Sequence, residues 1–546
     1  MFYYTSVEFN LADLFERAVD TFGDREYLVA EGKRRTYAEM EARANQLAHH
    51  LQQSGVNAGD HVGIYAYNST EWVECLWAIF KIRAVWVNIN YRYVEDELAY
   101  LFGNADLVAL IYQQEFAERV AGVRPHLKQL RHSIVIADPA ATAAGVVDTI
   151  GSIDYESALT GQSEVRDFGP RSPDDHYILY TGGTTGMPKG VVWRHEDVFF
   201  ALGGGIDAMT GERAARPERM AEKGLEGFPV VALPIAPLMH GATQWCVMSQ
   251  SFVGNKVVLV SKFEPHRVWD LVDQEQVNLI MITGDAMARP LIEALGDPAE
   301  PHDASSLFAI SSSAAIFSPS VKEDFFRRFP NLVITDAIGS SESGNNGLVR
   351  LEPGKTAMKG GPTVTAQPGT VVLDDELKPM PPGTGVPGKL ARSGDIPLGY
   401  YNDPEKTAAT FVMGADGVRY SMPGDFALVE ADGTITLLGR GSVSINSGGE
   451  KIFPEEVEAA AKSHPDVWDA VVVGVPDETW GQRVAAVVQL RPGAEITLED
   501  LQTHCRTRIA GYKVPRELHV VPTMLRSPSG KADYRWAARV ATGAED

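Results

Sequence analysis

From residue 10 to about residue 440 the chain alternates stretches of helical hydrophobic spacing with short apolar runs: VGIYAYN, LVALIY, SIVIAD, YILYT, VVLV and LIMIT. Runs of this length bounded by turn formers read as buried strands, and their alternation with helical pattern predicts α/β layers. The segment CLWAIFKIRAVWV is interrupted by Lys81 and Arg83. It falls short of the roughly 20 apolar residues that a membrane span needs, and reads as a buried helix running into a strand.

The pattern changes near the carboxyl end. LGRGSVSINSGG, residues 438–449, is rich in glycine and serine and poor in large apolar residues, which suits a flexible linker and turn. Beyond it, PEEVEAAAKSH predicts a helix with Pro454 near its start and acids in its first turn, followed by the strand-like AVVVGV and VAAVVQL. A boundary at Arg440 therefore divides the chain into a large domain, residues 1–439, and a small α/β unit, residues 440–546. No repeat of about 20 to 50 residues stands out, which disfavours a solenoid.

Composition narrows the classes of function. A chain of 546 residues with 44% hydrophobic and 22% charged residues has ample core for several domains or subdomains. The formal net charge of −23 excludes a general nucleic-acid surface, which needs clustered lysine and arginine. Cys75, Cys246 and Cys505 are far apart and form no CxxC pair, disfavouring a disulfide framework or thiolate metal site and pointing to a reducing cytoplasm. MFYYTSVEFNLADLFERAVD lacks the pattern of a secretory signal, and peripheral membrane contact stays open because a substrate can be lipidic.

The densest chemical signal is YILYTGGTTGMPKG, in which Tyr177 to Tyr180 end a strand and a Gly/Thr-rich loop follows. Gly182, Gly183 and Gly186 let backbone amides approach an anion; Thr181, Thr184 and Thr185 offer hydroxyls, and Lys189 a compact charge. Because the lysine precedes Gly190 and follows Pro188, this is not a Walker loop. GTGVPG, residues 383–388, matches dinucleotide spacing but follows no clear strand and opens no helix, so a turn between strands is the better reading.

With TGGTTGMPKG, the strings IGSSESG, YSMPGD, LGRGSVSINSGGEKIFPEEVE and SPSGK occur in one order along nearly the whole chain. Together they strongly resemble the adenylate-forming superfamily of acyl-CoA synthetases, adenylation domains and firefly luciferase. The resemblance implies a large, multi-subdomain amino-terminal domain with a small mobile carboxy-terminal lid. It also implies a reaction in which a carboxylic acid attacks the α-phosphate of ATP, expels pyrophosphate and passes its acyl group to coenzyme A.

Residue roles follow from the same resemblance. Glu342 would hold Mg²⁺, a hard cation suited to carboxylate oxygen. Ser341 keeps a hydroxyl near the phosphates where threonine is more usual. Asp425 and Arg440 match the residues that hold the ribose, and Lys531 the catalytic lysine of the lid. Thr184 joins the catalytic set through the phosphate loop, and His240, in PLMHG, matches a histidine at the mouth of the acyl pocket. Gly448 and Gly449 match the glycine turn beside the pantetheine tunnel, which lid rotation brings to the active site in place of Lys531. Taken alone, Glu342 would be a solvated loop carboxylate, Asp425 and Arg440 a turn acid and a surface base, His240 a structural histidine and Lys531 a surface lysine.

Three departures stand out: Ile338 where an aromatic ring commonly stacks on adenine, Ser442 at the usual hinge acid or lysine, and SSSAAIFSP where glycines are usual. With TGGTTGMPKGVVWRHED, NINYRYVEDELAYLF and TGDAMARPL, the sequence resembles the actinobacterial acyl-CoA synthetases acting on steroid side-chain carboxylates. That favours a cholesterol-type acid over a fatty acid, with residues 237–251 and 283–291 as candidate pocket walls. Apolar walls alone accept rings or chains, since small shape differences are worth only ~1–3 kcal/mol. The rivals are an acyl-AMP ligase serving a carrier protein, a luciferase-like oxygenase and a catalytically silent nucleotide or lipid binder. Whether the chain forms a homo-oligomer is left open.

Overall fold

The computed structural model describes residues 8–138, 147, 150–182, 187–207, 210–356, 361–447, 450–477, 479–527 and 530–543. Two compact units emerge: residues 1–281 with 303–307 and 395–409, and residues 282–302 with 308–394 and 410–546. Gly183, Thr184, Thr185, Gly186, Gly448 and Gly449 lie outside the described residues.

The first unit holds an eight-stranded sheet in which Gly399–Tyr400, Lys189–Arg194, His176–Thr181, Val85–Asn88, His61–Tyr65, Leu107–Gln113, His132–Ile136 and Ile153–Asp154 are successive neighbours. The strands from His176–Thr181 through to Ile153–Asp154 pair in parallel, while His176–Thr181 and Lys189–Arg194 form an antiparallel hairpin. Central strands covered on both faces have no water-facing side, which explains why VGIYAYN and LVALIY read as apolar runs without alternation. A second sheet pairs Glu26–Ala30 with Lys33–Thr36 and Lys256–Leu259, and Val231–Pro234 with Lys256–Leu259.

CLWAIFKIRAVWV becomes the end of the buried helix Thr70–Lys81 and the strand Val85–Asn88, as its pattern predicts. Ser69 caps the helix by accepting from the Trp72 N–H. Trp77 stacks on Phe15 with centroids 4.2 Å apart, and Trp86 on Tyr177 at 5.5 Å. Among the described residues no helix is long and apolar enough to cross a membrane.

The second unit contains a largely antiparallel sheet in which Ala309–Ser313, Val333–Ser340, Gly344–Leu351, Thr363–Ala366, Ile435–Arg440, Asp425–Val429 and Gly388–Arg392 are successive neighbours. GTGVPG begins in a turn at Gly383 and runs irregularly into the strand Gly388–Arg392, opening no helix. A smaller sheet follows, built on the long hairpin Val467–Asp477 and Gly481–Leu490. Val472, Ala486 and Val488 face the helix Pro454–Lys462, while Val471, Val473 and Val487 face the helix Tyr534–Thr542. Alternate residues of each strand thus serve opposite layers.

The structure differs from the sequence expectation over residues 438–447. Instead of a free linker, Leu438 to Arg440 end a strand, Gly441–Val443 form a single 3₁₀ turn, and Ile445–Ser447 pair with Glu450–Ile452. Ile445, only 1% exposed, anchors this stretch in the smaller core and overrides its weak local signal.

Lys81 shows how costly a buried charge becomes without partners. Its Nζ lies 2.5 Å from Glu16 Oε1 and 2.8 Å from Glu41 Oε1. Burial would raise the Glu16 pKa, but Lys81 and Arg171 outweigh it and hold the group below its usual value. Lys81→Met should therefore destabilise the protein by about 3 kcal/mol in urea unfolding, because two enclosed carboxylates lose their ammonium.

Candidate active site

In the first unit the hairpin register sets Thr181 opposite Lys189 and Tyr180 opposite Gly190, so the base of the glycine-threonine loop is a paired, rigid stem. Gly190 is required there, since a Cβ would meet the Tyr180 ring at 2.7 Å. Among the described residues, the Tyr93 hydroxyl is the nearest group to a Cβ built on Gly182, at 3.6 Å. Lys189 Nζ lies 5.8 Å from the Tyr400 ring centroid.

Asn88 was missed by sequence reasoning. Its Oδ1 accepts from the Tyr180 N–H at 2.6 Å, and its Nδ2 donates to the carbonyls of Tyr180 at 2.8 Å and Met239 at 2.7 Å. One side chain thus joins the stem of the loop to the backbone beside His240. Asn68 braces the same PLMHG segment, accepting from the Leu238 N–H at 2.6 Å and donating to Val260 O at 2.9 Å. His240 itself is half-buried at the start of the helix Gly241–Phe252. A buried asparagine at a strand end is the sole sequence signal for such a brace, and it is weak.

The second unit gathers Glu342, Asp425, Arg440 and Lys531. Glu342 and Ser341 sit on the tight turn between Val333–Ser340 and Gly344–Leu351. Ser340 Oγ accepts from the Ser343 N–H at 3.1 Å, Asn346 Nδ2 donates to Ser343 Oγ at 2.9 Å, and Ser421 Oγ donates to Glu342 O at 2.5 Å. With its backbone pinned, the half-buried Glu342 carboxylate offers oxygen ligands of the hardness a magnesium ion favours. Asp425 and Arg440 are cross-strand partners, with Nε 3.3 Å from Oδ1.

Lys531 is exposed, and the protein atoms crowded around its ammonium lower its pKa from the ordinary lysine value by desolvation. Arg440 lowers it further, and Glu342 and Asp425 oppose both. The loop presenting it is shaped by Arg526, whose Nε and Nη2 donate to the Asp469 carboxylate at 2.6 Å each and whose Nη1 donates to Gly530 O at 3.0 Å. Gly530 adopts φ +72°, and a Cβ there would meet Thr283 O at 3.0 Å. Neither Arg526 nor Asp469 is visible as functional in the sequence.

Residues 440–546 dock on the helix Asp285–Ala294. Lys462 Nζ lies 3.5 Å from Asp285 Oδ2, and Arg491 3.5 Å from Glu293. The guanidinium carbons of Arg289 and Arg491 lie 5.9 and 5.4 Å from the Trp468 ring centroid. Burial would raise the Asp285 pKa, but Lys462, Arg289 and the Ser318 N–H hold it below the usual value. Part of the 283–291 segment thus serves docking. Ile338, 4% exposed, packs with Val364, Val372 and Leu390 and belongs to the core. In SSSAAIFSP, Ala314 takes φ +67°, the left-handed region that glycine tolerates best.

This geometry agrees with the family comparisons. The model described as AMP-binding enzyme matches residues 15–401, and that described as AMP-binding enzyme C-terminal domain matches residues 456–531. The chain belongs to the AMP-binding enzyme family. It is 53% identical over 532 residues to a 3-oxocholest-4-en-26-oate–CoA ligase of Rhodococcus rhodochrous, covering 97% of this chain and 95% of that protein. It is 51% identical over 534 residues to a medium/long-chain-fatty-acid–CoA/3-oxocholest-4-en-26-oate–CoA ligase of Mycolicibacterium smegmatis, covering 97% and 96%. The crystal structure of the anthranilate CoA ligase AuaEII with anthranoyl-AMP shares the fold, with TM-score 0.82, 24% identity and 98% of each chain covered.

In this AMP-binding enzyme, Asp469→Ala should release the Arg526 fork and let the Lys531 loop drift. A displacement of that order costs about a hundredfold in kcat, and the KM for ATP should change little. Steady-state kinetics at saturating acid checks the split.

Proposed function

We propose that this AMP-binding enzyme is an ATP-dependent acyl-CoA synthetase whose acid is a steroid side-chain carboxylate of the 3-oxocholestenoate kind. Kinship over nearly the whole chain with ligases named for that acid supports the substrate. The observation that carries the chemistry is the convergence of Lys531 with Glu342, Asp425 and Arg440.

A substrate carboxylate oxygen attacks the α-phosphorus of ATP, the bond to the β-phosphate bridge breaks, and pyrophosphate leaves. The Lys531 ammonium faces the charge that accumulates as phosphorus becomes five-coordinate. Asp425 accepts hydrogen bonds from the ribose hydroxyls and Arg440 braces it. Thr181, Gly182, Gly183, Thr184, Thr185, Gly186 and Lys189 hold the phosphates, with Ser341 adding a hydroxyl. Glu342 would hold Mg²⁺, which neutralises phosphate charge when bound. His240 guards the acyl mouth.

The coenzyme A thiol then attacks the acyl carbon, releasing AMP and leaving a thioester. Residues 440–546 act as the lid, and Gly448 and Gly449 line the pantetheine path. A cytoplasmic setting, with peripheral contact at a membrane for a lipidic acid, is in keeping with the use of ATP and coenzyme A. A medium- or long-chain fatty acid is the second reading, because one of the relatives above carries both acids in its name.

Lys531→Ala should lower ATP–pyrophosphate exchange by about a hundredfold or more while the fold is kept, the scale seen when one transition-state donor is removed. Undiminished exchange would refute the role. Pyrophosphate release measured over steroid acids and fatty acids of graded length should be greatest with the steroid acid. Adenylate that accumulates despite free coenzyme A would instead support transfer to a carrier protein.

A further inference from the structure

Glu455 has no part in the chemistry above, yet it occupies the seam between the strand Ile435–Arg440 and the helix Pro454–Lys462. Its Oε1 accepts from the Arg440 N–H at 3.5 Å, and a Cβ built on Gly439 would come within 2.1 Å of its Oε2. That Oε2 is buried and has no hydrogen-bond partner among the described residues.

The charges facing Glu455 are acidic. Glu458 lies one turn along the same helix, Asp425 lies on the neighbouring strand, and Tyr534 comes from the helix Tyr534–Thr542. The Arg440 guanidinium turns to Asp425, and Lys462 and Arg526 bear on Glu458. Burial, reinforced by Glu458 and then Asp425, pushes the Glu455 pKa up to about 8.

The seam and Lys531 belong to the same part of the chain. Arg440 ends the last strand before the 3₁₀ turn, Glu455 opens the first helix of residues 440–546, and the same segment carries Lys531 to Glu342 and Asp425.

We propose that Glu455 is a positioning residue that closes this seam in its protonated form, so that docking of residues 440–546, and with it the placement of Lys531, takes up a proton. A carboxylate with an enclosed, unpartnered oxygen beside two other acids opposes closure, whereas a neutral carboxyl group fits. When the seam opens, Glu455 meets water and returns to the ordinary carboxylate range. The closed state therefore binds more protons. Closure is fully favoured below the ordinary carboxylate range, weakens by up to about tenfold per pH unit as pH rises towards about 8, and is level above that. The inference is independent of which acid the enzyme activates.

Hydrogen exchange read by mass spectrometry on the full-length protein without substrates tests this, after correction for the intrinsic pH dependence of exchange. Peptides covering 445–462 and 285–294 should show an opening constant in the native sequence that rises by up to about tenfold per pH unit between about pH 5 and 8. Glu455→Gln, neutral at every pH, should make that constant independent of pH and keep the seam closed. Glu456→Gln, whose carboxylate is paired to Lys513 at 2.6 Å, should keep the native slope. If Glu455→Gln lowers the melting temperature, Glu455→Met supplies a second neutral side chain: a flat profile supports the proposal and a native slope overturns it. A native slope in Glu455→Gln, or a flat profile in the native protein, also overturns it.

Discussion

The loop that carries Lys531, the proposed catalytic lysine, depends for its direction on a neighbouring ion pair. The Arg526–Asp469 fork ties the Lys531 loop to the hairpin of the smaller sheet, and Gly530 lets the backbone turn against Thr283. Without a fixed loop, a side chain with four rotatable bonds would lose its direction to rotamer entropy. In the proposed chemistry Lys531 contributes the charge, and its supports contribute the direction.

Those supports act together because the surface under residues 440–546 combines charge and aromatic packing. Asp285 meets both Lys462 and Arg289, and two guanidinium groups approach the Trp468 ring. Such contacts are partly desolvated and directional, so they select one arrangement more sharply than an apolar patch would. Glu455 introduces a term of opposite sign at the edge of the same surface.

Much of this was legible in the sequence, for physical reasons that differ by element. Buried parallel strands announce themselves as apolar runs, and the helix Pro454–Lys462 is marked by its proline and first-turn acids. The motifs carrying Glu342, Asp425, Arg440 and Lys531 pointed to residues that the fold gathers in one unit. Asn88, Asn68 and Asp469 were not legible, because a polar residue that braces a backbone carries no spacing rule. Residues 441–447 were misjudged because Ile445 is a lone apolar anchor among small residues, too sparse for periodicity to register.

Asn88 has a consequence for how the protein can change. A single amide side chain fixes both the end of the strand entering the glycine-threonine loop and the carbonyl next to His240. The stem of the glycine-threonine loop and the PLMHG segment therefore share a structural datum. A substitution that shifts Met239 would be transmitted to the strand end at Tyr180, so the PLMHG segment and the stem of the glycine-threonine loop are not independently adjustable.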